Sequence, residues 1–301
     1  MMSRAALLVV FVVAFQWSSL LIDASPQYTP LVLMHGIADT SARMAHIAAL
    51  AQQLLPGIYV TALEVTGSSE GSVFTGSDVE LICKALAADP KLAGGINVLG
   101  TSQGGILLRG YLERCNNPPV KNFISWVAPM MGVYGVPVVG HWEYLNATLD
   151  DVADCCIYEQ WAQDLFSFAG YWRDPYALST YVQEKIFLSD INNEREEKNP
   201  VYKQNVLSLE NFIMGYSTID SVLIPRETGW FGVYANNTIS SVVPLEEQPL
   251  YKYDYIGLRT LQETGRLHRF STTCVHNDYT SPCFDKYFIA NVLPFINSTS
   301  T

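Results

Sequence analysis

The chain has 301 residues, 49 % of them hydrophobic, with 29 acidic side chains against 18 basic ones and a formal net charge of −11. That composition describes a globular protein with ample material for a core, and its scattered cations exclude a nucleic-acid surface and a polybasic membrane anchor. The length suits one large α/β domain or two small ones, and no internal repeat divides it.

Arg4 precedes an apolar run from Ala5 to Phe15, and a polar region follows that ends near Ala24. The pattern predicts a secretory signal peptide over 1–24 and a mature chain of 25–301. The run is too short to cross about 30 Å of hydrocarbon, so no transmembrane anchor is expected. Sequons beginning at Asn146, Asn236 and Asn297 fit the same compartment and predict glycosylation there. The six cysteines then suggest up to three disulfides. No Cys-x-x-Cys or His-rich set accompanies the adjacent Cys155 and Cys156, so no metal site is expected.

In chain order, Leu31 to Met34 reads as a buried strand running into His35-Gly36-Ile37. A turn of this kind after an early strand can donate one oxyanion-hole N–H, here that of Ile37. An amphipathic helix opens at Ser41 and carries His46 on its surface or packing side. GIYVTALEV reads as a strand, and the Gly/Ser loop after it lacks the GK[ST] of a phosphate cradle. SDVELICKALAADP is a helix with Ser77 as its N-cap.

Ile96 to Leu99 is the next strand, and Ile106 onward the next helix. Gly100-Thr101-Ser102-Gln103-Gly104 between them is a G-x-S-x-G nucleophile elbow. A strand-to-helix turn this tight strains the serine backbone and leaves little room for neighbouring side chains, hence the glycines. It presents Ser102 as a nucleophile at the positive end of a helix, with the Gln103 N–H as the second oxyanion donor. NFISWVAPM continues a parallel sheet covered on both faces.

From about 136 to 205 the strands stop and the text turns aromatic and acidic. This segment predicts an inserted helical cap. Trp142, Trp161, Phe166, Phe168, Tyr171 and Trp172 would roof an acyl groove; the alternative is outer helices burying the same rings in an ordinary core. The sheet resumes with ENFIMGYSTID, a strand to Asp220, and RLHRFSTTC, a strand leading to His276. DKYFIANVLPFI closes the chain as a helix.

Nucleophile, acid, histidine is the order of an α/β-hydrolase triad. His35 and His46 precede the serine, His141 falls in the insertion and His268 lies inside a strand, which leaves His276 as general base. Asp220 ends the penultimate strand and is favoured over Asp254 as the acid that orients the imidazole. A Cys83–Cys115 bridge would close a loop holding Ser102, and a Cys274–Cys283 bridge a small loop around His276, with free thiols the alternative at the latter. The sequence leaves the pairing of Cys155 and Cys156 open.

At these residues the chain resembles the palmitoyl-protein thioesterases. The resemblance covers nearly the whole mature chain and is clearest in LPGIYVTALEVTG, CKALAADPKL, LGTSQGGILLRGYLERCNNPP, MMGVYGVP, FLSDINNE and GWFGVY. It implies an α/β-hydrolase fold, an acyl groove lined by the insertion, and cleavage of fatty-acyl thioesters from S-acylated proteins or peptides, usually in lysosomes. It places the family's triad on Ser102, Asp220 and His276, its oxyanion donors on Ile37 and Gln103, and its elbow disulfide on Cys83 and Cys115. The chain departs from the family in VHNDY around the histidine, in the neighbouring Cys155 and Cys156, and in lacking paired cysteines after HGIADT. The expectation is a lysosomal or secreted serine thioesterase needing no cofactor. The rival readings are a lipase or oxygen-ester esterase on the same scaffold and a non-catalytic lipid-binding carrier.

Overall fold

The computed structural model describes residues 28–64, 76–135, 152–153, 155–184 and 186–297. The expected signal peptide, most of the Gly/Ser loop, His141, Trp142 and Asn146 lie outside the described residues.

Short runs of apolar and β-branched residues form β1 (Leu31–Met34), β2 (Val60–Leu63), β3 (Ile96–Thr101), β4 (Val120–Trp126) and β5 (Asn211–Ser217). Two short strands, β6 (Val233–Tyr234) and β7 (Val242–Val243), precede β8 (Leu267–Thr272). Six of these make a sheet in the order β2-β1-β3-β4-β5-β8, every pair parallel. The four inner strands are buried almost throughout, as strands covered on both faces must be, while the outer two are half exposed. β6 and β7 pair separately as an antiparallel hairpin, and Asn236 is exposed on the connection between them.

Alternate residues feed two cores. Val32, Met34, Val98, Phe123, Phe212 and Met214 face one, which takes in α2 (Gly76–Ala88) and α3 (Gln103–Arg114) through Ile82, Leu86, Ile106 and Leu107. Leu31, Leu33, Leu99, Ile124, Trp126 and Ile213 face the other, closed by α1 (Ala45–Leu54) and the Pro282–Asn291 helix through Ile47, Phe284 and Phe288. The result is a helix–sheet–helix sandwich with its strands' carboxyl ends along one rim.

Several boundaries move. The helix expected from Ser41 begins as a 3-10 turn, Ser41–Met44, and α2 starts at Gly76, so Ser77 lies in its first turn rather than at the cap. β5 stops at Ser217, leaving Asp220 in the turn beyond. The closing helix breaks at Val292 before a short Leu293–Ile296 turn, because Pro294 brings no N–H and crowds the turn before it.

Between β4 and β5 the described chain is helical: Gln160–Leu165, the 3-10 turn Ser167–Tyr171, Leu178–Gln183, Phe187–Ile191 and Pro200–Leu207. Its Ile157, Ala169, Tyr171, Trp172, Tyr181 and Leu188 are buried in the same core as α2 and α3. A buried polar network joins it to α3. Arg109 donates to Glu113 at 2.8 Å, to the Met130 carbonyl at 2.6 Å and to Asn192 at 2.5 Å. Asn192 in turn donates to Glu194, which Arg173 and Tyr181 also meet.

All six cysteines are paired, as Cys83–Cys115, Cys155–Cys156 and Cys274–Cys283. The first closes a sequence separation of 32 around the elbow. In the chain-entropy model such a loop is worth about 4 kcal/mol. Replacing Cys83 and Cys115 together by serine should therefore lower the thermal midpoint by roughly 10 °C, read by calorimetry under non-reducing conditions.

A second expected outcome concerns Glu113, whose carboxyl burial pushes up to about 7 against the opposing pull of Arg109. A carboxyl that holds its proton better when folded stabilises below the ordinary carboxylate range and loses that contribution as pH rises through about 7. Glu113→Gln should therefore gain thermal stability relative to the native chain on going from pH 5 to pH 8. Parallel melting curves across that range would keep a constant separation if Glu113 stayed ionised throughout.

Candidate active site

Chain order in the sheet reverses direction between β1 and β3: β2 lies outside β1, whereas β4 follows β3 on the other side. Loops that leave neighbouring strands in opposite directions open a crevice at the carboxyl ends, and ligands of open parallel sheets bind there. The two turns at this point are His35-Gly36-Ile37 after β1 and Ser102 after β3. They touch: a Cβ built on Gly36 would lie 3.0 Å from the Ser102 Cβ and 3.6 Å from its Oγ.

Ser102 takes φ 51° and ψ −129°, a left-handed-side conformation that costs a side-chain-bearing residue on the order of 1–3 kcal/mol. Its surroundings leave it no alternative. Its N–H donates to the Trp126 carbonyl at 3.0 Å and its carbonyl accepts from Gly105 at 3.0 Å. Any side chain at Gly104 would run into the carbonyl oxygens of Met34 and His35, so α3 can leave the strand this sharply only with glycine there.

The other two side chains arrive from strands further along. Ser217 pairs with Thr272 in register, so β5 and β8 end level. The loops beyond them are tied by Ser217 Oγ donating to the Cys274 carbonyl at 2.6 Å and by the Thr218 N–H donating to the Thr272 carbonyl at 3.0 Å. His276 sits between Cys274 and Cys283, whose bridge closes the short loop that carries it. Its Nδ1 is 2.7 Å from Asp220 Oδ2 and its Nε2 is 3.0 Å from Ser102 Oγ. All three side chains are buried.

Asp220 Oδ1 accepts from the N–H groups of Val222 at 2.8 Å and Leu223 at 3.0 Å. Burial alone would raise this carboxyl, but His276 and the two N–H groups together outweigh it and hold it below the usual carboxylate range. A carboxylate that stays ionised keeps the imidazole N–H on Nδ1, leaving the Nε2 lone pair toward the serine hydroxyl. The constellation is competent for nucleophilic acyl transfer.

The remaining histidines among the described residues are engaged elsewhere. His35 lies within 2.8 Å of the Gly36 carbonyl, His46 within 2.7 Å of Asp285, and His268 within 2.9 Å of Asn211. Asp254 accepts from the first-turn N–H groups of Arg259 and Thr260 in the Leu258–Glu263 helix and pairs with Lys203 at 2.8 Å. Its carboxyl too is held low despite its burial, by Lys203 and Thr260, in the service of a helix end.

The aromatic residues of the insertion divide. Phe166, Phe168 and Trp172 form a chain of rings 5.6 and 6.2 Å apart, extended by Tyr134 and Tyr176, which sequence reading did not single out. Trp161 stays outside it with 48 % of its surface exposed. Tyr171 reaches the elbow itself: its hydroxyl donates to Gln103 Oε1 at 3.0 Å, and that of Ser167 donates to the same oxygen at 2.6 Å. Nothing in the sequence pointed to Ser167, since a lone serine carries no pattern. The buried Arg109–Glu113 pair was equally silent, although its i,i+4 spacing on a helix was there to be read.

The family model described as palmitoyl protein thioesterase matches residues 30–276, from the entry of β1 to the histidine of this site. The chain belongs to the palmitoyl protein thioesterase family. Among curated relatives it is 40 % identical to palmitoyl-protein thioesterase 3 of Dictyostelium discoideum, over 89 % of this chain and 92 % of that one. It is 35 % identical to palmitoyl-protein thioesterase 1 of Caenorhabditis elegans (79 % and 83 % covered) and 30 % identical to the lysosomal thioesterase PPT2 of Rattus norvegicus (83 % and 84 %). A solved esterase from Rhodococcus sp. superposes with a TM-score of 0.47 at 15 % identity, over 91 % of this chain and 92 % of that one. As a member of the thioesterase family the chain is a thioester hydrolase, acting on acyl thioesters, built on the parallel helix–sheet–helix sandwich described above. No helix among its described residues is long and apolar enough to cross a membrane.

The Asp220–His276 contact yields an expected outcome. Asp220→Asn leaves the shape intact but lets the amide donate where the carboxylate accepted, so the imidazole turns its N–H toward Ser102. Thioester turnover should fall by about 10³- to 10⁴-fold. The stabilisation tied to the lowered carboxyl, present above the ordinary carboxylate range and lost as pH falls through its folded value, should vanish from acid unfolding curves as well.

Proposed function

We propose that this chain removes long-chain fatty-acyl groups, palmitoyl foremost, from cysteine thiols of S-acylated proteins or peptides, by way of an acyl-enzyme on Ser102. The single observation that carries this reading is the unbroken run of contacts Ser102–His276–Asp220 at the crevice between β1 and β3.

His276 Nε2 takes the hydroxyl proton as Ser102 Oγ attacks the thioester carbonyl. The oxyanion accepts from the backbone N–H groups of Ile37 and Gln103, on the two turns that meet at Ser102. Collapse of the tetrahedral intermediate breaks the carbon–sulfur bond, and the proton returns from His276 to the departing sulfur. A thiolate leaves readily, so this step asks less of the general acid than amide cleavage does. Water, deprotonated by the same histidine, then attacks the acyl-serine carbonyl, and the fatty acid leaves as Ser102 regains its proton. Substrate and water alone balance the cycle, and no cofactor or metal enters it.

The 25–301 segment serves as a single catalytic domain with a helical cap inserted over about 136–205. Phe166, Phe168, Tyr171 and Trp172 of the cap line the acyl groove; the chain of rings that Phe166, Phe168 and Trp172 form and the contact of Tyr171 with the elbow residue Gln103 support this. The leader-like pattern of the N-terminal sequence, the exposed Asn236 and Asn297, the Asn146 sequon and the lysosomal thioesterases among its relatives support a glycosylated, lysosomal or secreted enzyme.

Hydrolysis of a palmitoyl-cysteine peptide by the native chain and by Ser102→Ala tests the reading. The variant should lose at least 10³-fold in kcat with its fold unchanged. Run beside the matching palmitoyl-serine peptide, the thioester should turn over faster; a faster oxygen ester would reassign the enzyme as an esterase or lipase.

A further inference from the structure

Gln103 occupies two places at once. Its backbone begins α3 directly after Ser102, and its side chain, 1 % exposed, points into the inserted segment. There the amide oxygen accepts from Ser167 Oγ at 2.6 Å and from the Tyr171 hydroxyl at 3.0 Å. Both donors sit on one 3-10 turn, Ser167–Tyr171, and both residues are buried. Burial pushes the Tyr171 phenol well above its ordinary range, so it remains a donor.

The turn is itself held on two sides. Gln163 Nε2 donates to the carbonyls of Ile157 at 2.7 Å and Ala169 at 3.0 Å. The Val133 N–H donates to the Tyr171 carbonyl at 3.0 Å, and the Arg173 N–H returns a bond to Val133 at 2.8 Å. The two hydroxyls are therefore fixed points, and the Gln103 amide hangs from them.

We propose that Ser167 and Tyr171 are positioning residues for the acyl-transfer step, acting through the Gln103 side chain to hold the Gln103 backbone N–H at the oxyanion. This rests on the functional reading above. Two consequences of the geometry support it. The Ser102 backbone is held at a strained φ that persists only where neighbours over-determine it, and Gln103 is its immediate successor. An oxyanion donor, moreover, is worth its full effect only when pre-placed, and a drift on the order of 1 Å costs about 100-fold. One side-chain oxygen with two buried donors removes the freedom through which the first turn of α3 could drift.

The test is a cycle of Ser167→Ala, Tyr171→Phe and Gln103→Ala, singly and combined, on the palmitoyl-cysteine peptide. Each hydroxyl deletion should lower kcat by about 10- to 100-fold with KM within twofold, and should slow fluorophosphonate labelling of Ser102 in step. In the Gln103→Ala background, adding Tyr171→Phe should cost nothing further, because the link is already cut. Thermal midpoints measured alongside verify folding, and Gln103→Met replaces Gln103→Ala should the latter fail to fold. Unchanged kcat in both hydroxyl variants, losses confined to KM, or losses that multiply with that of the Gln103 variant would each overturn the proposal. A native chain inert toward the thioester would instead sink the functional reading, so the two failures are distinguishable.

Discussion

The structure depends on one uncomfortable residue. At the end of β3 the chain turns from strand to helix within a single position, and Ser102 carries the turn with a backbone angle most side chains avoid. The surroundings are arranged to make that conformation the only one available. A β4 carbonyl takes the Ser102 N–H, glycine lets α3 come up against β1, and the buried apolar face of α3 packs on the sheet through Ile106, Leu107 and Leu108. Burying each such side chain stabilises by roughly 1.5–3 kcal/mol, enough for a few of them to offset the local cost.

The parallel sheet acts as a ruler for the rest. Neighbouring strands lie about 4.8 Å apart, so β4, which contributes none of the three reacting side chains, sets the distance that His276 and Asp220 must cover from β8 and β5. Level strand ends and the ties between the two loops bring them in at the right height. Environment then separates two like residues. Asp220 and Asp254 are both buried and both held ionised, yet one faces an imidazole and the other a helix end and a lysine.

Much of this was legible in the residues. The elbow motif, the strand preceding it and the order of serine, aspartate and histidine are local in sequence, and local patterns survive folding. The sandwich was legible for the same reason, since continuous apolar runs separated by helical ones admit few arrangements. What stayed hidden was set by contacts distant along the chain. Ser167 and Gln103 are 64 positions apart, Arg109 and Asn192 are 83, and neither pair announces itself by type or spacing. The aromatic insertion was read as a unit, either a roof or an ordinary core, because its composition is uniform. Burial distinguishes Tyr171 and Trp172, sunk in the core, from Trp161 at the surface, and composition carries no information about that division.

The three sulfur bridges are unequal in kind. Cys83–Cys115 and Cys274–Cys283 tether segments that an unfolded chain would let wander, whereas Cys155–Cys156 joins residues the backbone already joins. With nothing enclosed between its ends, that adjacent pair restricts the denatured ensemble hardly at all. Its effect is confined to the shape of one short stretch leading into Ile157. A reductant acting on this protein would consequently meet two guy-ropes and one splint.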